Sequence, residues 1–192
     1  MGLQYNIWFG VSAVIFMVIL VVCLRITYSM ESKRNHEFFK VAIYVLLADA
    51  FDVITAITIS CGAVVPVFLN IILNTCYFVL NALLSYQFLR YSLLCVKGFQ
   101  GELKVGVGYR VIIYGYLVLL VMNMFTGWMF GFDEQGMYVH GALYYLLPVI
   151  PYGCFFMGVL RMVRNNKEYD RRQKISIFAF SIVALSGAVL QI

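Results

Sequence analysis

An all-α fold, a polytopic bundle of transmembrane helices, follows from three properties of this sequence. The chain is 63% hydrophobic and only 12% charged, with a mean hydropathy of +0.89, too apolar for a soluble fold of this length. All fourteen Lys and Arg residues fall in three clusters, Arg25–Lys40, Arg90–Arg110 and Arg161–Lys174. The stretches between the clusters carry only Asp49 and Asp52 in one, and Asp133 and Glu134 in the other. Each stretch is about 50 residues, enough for two apolar helices of ~20 residues and a turn. One span before the first cluster and pairs of spans thereafter put every cluster on one face. By the positive-inside rule that face is cytoplasmic and the N-terminus is outside.

The elements follow in order. The first span is Asn6–Leu24, with Tyr5 and Trp8 at the outer headgroup level, and Thr27–Glu37 is an inner loop. The second span, Phe39–Ser60, turns at Cys61–Pro66 into the third, Val67–Leu89, and Lys97–Gly108 is the second inner loop. The fourth span is Val111–Thr126, and Trp128–Gly141 is the longest outer segment. The fifth is Ala142–Leu160, followed by the inner loop Arg161–Lys174. A sixth span opens at Ile175 and is still apolar at Ile192. Eighteen residues of helix rise ~27 Å, short of the ~30 Å hydrocarbon core. The expectation is a single module, residues 1–192, that continues into a longer protein. Every span is a helix because any other lipid-exposed backbone leaves polar groups unpaired.

Composition excludes several classes. A net charge of +5 in a soluble protein points to nucleic acid, but here the basic residues are topological and meet the lipid bilayer. Cys23, Cys61, Cys76, Cys95 and Cys154 show no metal-ligand spacing, and only Cys61 is placed at the outer surface, so no disulfide is expected. The N-terminus lacks the basic start of a cleavable signal peptide, and Asn6 stands where a myristoylation signal needs Ser or Thr. No catalytic constellation, cofactor fingerprint or metal set is present, so the chain itself is not read as an enzyme.

Three features carry possible chemistry. Asp49 and Asp52 sit near the middle of the second span, where a carboxylate costs roughly 3 kcal/mol on insertion scales. On the third span Asn70, Asn74, Tyr77 and Asn81 lie within a ~60° arc at helical spacing. The turn makes these spans antiparallel, so Asp52 is expected opposite Asn74, and Asp49 opposite Tyr77. This is either a polar clamp on the hairpin or a pocket for a small ligand, a proton or a cation. In the outer segment Asp133, Glu134, Tyr138 and His140 form the second candidate, an ion site or a solvated turn. Pro148 and Pro151 are the third. They free the carbonyls of Tyr144 and Leu147 and make either a packed kink or a hinge.

Read together, these segments resemble the N-terminal membrane sensor region of bacterial diguanylate cyclases. The resemblance rests on Glu31–Phe38, on LLADAFDVITAITI, on LNTCYFVLNALLSYQFLRY and on FDEQGMYVHGALYYLLP, in that order. It implies a multi-pass sensor in the bacterial inner membrane that signals to a cytoplasmic cyclase domain, with a homodimer formed through that domain. The chain holds no GGDEF-type loop, so the resemblance implies the input and not the synthesis of cyclic di-GMP. The rival expectation is a small transporter or carrier subunit with the Asp pair as its coupling site.

Overall fold

The computed structural model describes residues 7–27, 32–61, 64–95, 106–133, 136–164 and 175. Within them the chain is mostly helical: α1 (Ile7–Thr27), α2 (Lys33–Ser60), α3 (Val67–Leu94), α4 (Val107–Thr126) and α5 (Leu146–Arg164), with a two-stranded hairpin, β1 (Phe130–Phe132) and β2 (Tyr138–His140), between α4 and α5. Helices α1 to α4 are long and apolar enough to cross a membrane, and α5 contributes a shorter apolar stretch, Leu146–Arg161. The expected sixth span lies outside the described residues, apart from Ile175.

The bundle is built for lipid, because its outward faces are apolar and its polar side chains point in. Phe9 and Phe125 are 79% and 86% exposed, whereas Asn70 and Ser92 are fully buried. In water such a surface drives association; against acyl chains it costs nothing. Helix α3 is the central element, packed on α2, α4 and α5, and α1 leans on α2. Small residues let these helices approach. Ala42 and Ala48 of α2 and Ala82, Ser85 and Ser92 of α3 are buried, as expected where packing rather than hydrophobicity holds helices together. Gly10 of α1 packs so closely on Val53 that an added Cβ would lie 2.7 Å from a valine methyl.

Two apolar clusters anchor the ends. Near the end of α3, Val41, Phe88, Tyr91, Cys95 and Phe155 pack together, with the Phe88 and Phe155 rings stacked 4.1 Å apart. Towards the hairpin, Ala82, Tyr116, Leu120, Leu147, Met129 and Phe130 form the other. These contacts make α2 and α4 antiparallel to α3, and α5 parallel to it. Arg25, Lys33, Arg34, Arg90, Arg110, Arg161 and Arg164 consequently gather at one end of the bundle.

Every helix continues past its expected limit by one to two turns, always at this basic end. Hydropathy stops where charge begins. The backbone has no such reason to stop, since it still needs internal hydrogen bonds in the headgroup region while Lys and Arg reach out along their stems. The opposite end differs in kind. The segment between α4 and α5 is a structured cap, with Phe130 paired to His140 and Phe132 to Tyr138. It also shortens the fifth helix, which starts at Leu146 and not at Ala142. Residues 141–145 are tied back instead: the Leu143 amide donates to the Trp128 carbonyl at 2.8 Å and the Gly141 amide to the Met129 carbonyl at 3.0 Å.

Candidate functional site

Helices α2 and α3 bring the acid pair and the polar stripe together. The Tyr77 hydroxyl donates a hydrogen bond to the Asp52 carboxylate, and Asp49 lies one turn away on the same face. Tyr152 of α5 is near enough to act electrostatically on both Asp52 and Tyr77. Both acids and Tyr77 are half-buried within the chain. The expected pairing was Asp49 with Tyr77; the actual partner of Tyr77 is Asp52, one turn nearer the α2–α3 turn. A helical side chain leans towards the N-terminus of its own helix. On α3 that direction leads to the turn, so the long tyrosine reaches past its own level.

The asparagines divide into three roles. Asn81 donates through Nδ2 to the Tyr77 carbonyl at 3.0 Å, bracing the turn that presents Tyr77. Asn74, buried, donates likewise to the Asn70 carbonyl at 2.9 Å and keeps its amide oxygen as an acceptor. Asn70 is completely buried, and among the described residues neither atom of its amide has a hydrogen-bond partner. Thr55, also buried, continues the α2 side of the seam, its hydroxyl donating to the Asp52 carbonyl at 2.9 Å.

At the basic end is a polar junction that sequence reading passed over. Glu37 was placed at the end of a loop; it lies inside α2 and is only 4% exposed. Gln87 Nε2 donates to the Glu37 carboxylate and to its backbone carbonyl. Arg90 and Lys40 approach the same carboxylate oxygen at 3.4 and 3.0 Å. Glu37 and Arg90 are equally far from the α2–α3 turn, so the depth matching used for the Asp pair, extended to the helix ends, finds this junction.

The outer-segment candidates serve the cap. Asp133 Oδ1 accepts from the Met137 amide at 2.8 Å and closes the hairpin loop. Tyr138 stacks on Phe130, and His140 stacks on Tyr144 with ring centroids 3.7 Å apart. The Tyr138 and His140 rings also meet edge to face, 5.6 Å apart; Glu134 lies outside the described residues. The cap hangs on Asn123, which sequence reading also missed. Its Nδ2 donates to the Phe130 carbonyl at 3.0 Å, and its Oδ1 accepts from the Met129 amide at 2.6 Å and the Phe130 amide at 3.3 Å. Gly127, at φ 64°, ends α4 in the left-handed conformation that sends the chain back over the bundle. Gly141 rests on the Trp128 carbonyl, where a Cβ has no room.

Both proline-freed carbonyls have partners. The Tyr144 carbonyl accepts from the Leu147 amide at 3.0 Å. The Leu147 carbonyl, released by Pro151, accepts from the buried Tyr116 hydroxyl of α4 at 3.2 Å. A satisfied, packed carbonyl favours the fixed kink over the free hinge. Comparison with family models, curated proteins and solved structures finds no match for this chain, so its function is argued from the site itself.

Proposed function

We propose that this chain is the membrane-embedded sensory input module of a bacterial signalling protein, whose cytoplasmic output domain is a diguanylate cyclase. Its basic end then faces the cytoplasm and its N-terminus and hairpin cap face outside, with the segment from Ile175 as a sixth span in the inner membrane. The observation that carries this reading is the half-buried Asp49–Asp52–Tyr77 cluster where α2, α3 and α5 meet. Ionisable groups at membrane depth are costly and are kept for function. A ligand that prefers one packing of these helices shifts the population towards it. Helix α3 links the cluster to the Glu37–Arg90 junction at the basic end, which supports transmission along that helix.

The test is cyclic di-GMP measured in cells that carry the native gene, with wild type set against Asp49→Asn/Asp52→Asn at several external pH values. Output locked in one state, at unchanged protein level, supports a sensor; unchanged output at every pH overturns it. The same intramembrane acids support a second reading, a small carrier. Reconstituted liposomes separate the two, since only a carrier moves protons or cations down an imposed gradient.

A further inference from the structure

We infer that the seam between α2 and α3 binds a small monovalent cation, hydronium or Na⁺, between the carboxylate of Asp52 and the amide oxygens of Asn70 and Asn74. The inference rests on the site proposed above and names its ligand class.

The observation that points to a ligand is Asn70. The first turns of α3 expose Phe68 at 68%, while Asn70 is fully buried. An amide in that position is expected to make several hydrogen bonds, yet both of its side-chain atoms lack a partner among the described residues. Leaving such a group unmet costs about 1–3 kcal/mol, so water or an ion in the seam is its natural partner. Its position on the helix gives the direction. Asn70, Asn74 and Tyr77 share one face of α3, and Tyr77 on that face reaches Asp52. Measured from the α2–α3 turn, Asn70 lies opposite Ile57, about 7 Å along the axis from Asp52. One small hydrated ion bridges that gap, with Asn74 and Thr55 at its flanks.

The donors fit a hard, singly charged guest. Carboxylate, amide and hydroxyl oxygens favour hard cations, and a divalent ion needs six or more such oxygens in a defined geometry. Among the described residues, the titratable groups facing the seam are Asp49, Asp52, Tyr77 and, from α5, Tyr152. Helix α1, packed on α2, has its only titratable side chains, Cys23 and Arg25, at the basic end. No lysine or arginine of the described residues lies at this depth to neutralise the pair in a cation's place.

Dicyclohexylcarbodiimide, an apolar reagent that attacks protonated carboxyl groups, reads the site in the intact protein held in lipid nanodiscs. Labelling of Asp49 or Asp52 is followed by mass spectrometry. If the guest is Na⁺, labelling falls as NaCl replaces choline chloride at constant ionic strength; if it is a proton alone, labelling falls only as pH rises. In either case Asn70→Leu shifts the midpoint about tenfold in concentration, one pH unit on the proton scale, at unchanged folded yield. Asn70→Thr, milder in volume, is expected to shift it in the same direction if the leucine variant folds poorly. No labelling, labelling indifferent to both Na⁺ and pH, protection by Ca²⁺ alone, or midpoints unmoved in both variants overturns the proposal. Cyclic di-GMP unchanged in the Asp49→Asn/Asp52→Asn strain, with cation protection intact, removes the sensor role and leaves the cation site standing.

Discussion

At the scale of single residues, the two side chains that secure the ends of this bundle are polar, buried and inconspicuous in sequence. Asn123 meets three backbone groups of the cap, each of which loses its partner on truncation. Asn123→Ala is expected to lower thermal stability by about 1–3 kcal/mol for each buried group left unmet. Loosening begins in the cap, so limited proteolysis should cut within residues 128–141 before any helix; uniform digestion contradicts the role assigned to Asn123. Glu37 tests the other end. Glu37→Ala leaves Arg90, already buried at Nε without a partner, facing no carboxylate. The expected loss is about 1–3 kcal/mol, mainly the buried Gln87 amide left unmet, since Arg90 and Lys40 keep 33% and 40% of their side chains exposed. Glu37→Gln keeps the Gln87 contact in shape and is expected to lose less, with equal losses arguing against the Gln87 contact. Neither residue was legible at the start. One asparagine among many and one glutamate in a charged loop acquire meaning only from what the fold places against them.

At the scale of the element, α5 shows how a sequence signal is right in kind and unfinished in consequence. The prolines announced two freed carbonyls. That α4 supplies a hydroxyl to one of them is a fact of packing. Tyr116→Phe is expected to destabilise by about 1–3 kcal/mol, the cost of a buried carbonyl left alone. Pro151→Ala restores the amide that can take the Leu147 carbonyl back into the helix. The double variant should therefore recover most of the loss, a coupling seen in the cycle of denaturation midpoints. Additive effects sink this account. The α2–α3 hairpin was the most legible element. Its apolar length, its turn and its polar stripe all appear in sequence, and the resulting depth matching holds for Glu37 with Arg90. It missed by one turn for Tyr77, because register locates backbones while a long side chain leans.

At the scale of the molecule, the segregation of basic residues predicts an experiment on whole cells. With the native cysteines other than Cys61 replaced, a membrane-impermeant maleimide applied outside is expected to label exposed Cys61 and a cysteine introduced as Asp133→Cys. It should spare one introduced as Lys33→Cys until the membrane is opened. The reverse pattern inverts the proposed orientation. Charge and hydropathy by themselves determined that this is a mostly helical chain with membrane-length helices, and where each basic cluster lies along it, because the cost of a charge in hydrocarbon is a local quantity. Only tertiary structure decided that Trp128–Gly141 is a pinned hairpin, that Glu37 is buried, that Asp52 and not Asp49 holds Tyr77, and that the buried Asn70 amide has no partner among the described residues. Those outcomes depend on which surfaces meet after the helices assemble, and small buried residues such as Ala42, Ala82 and Ser85 set how closely they approach.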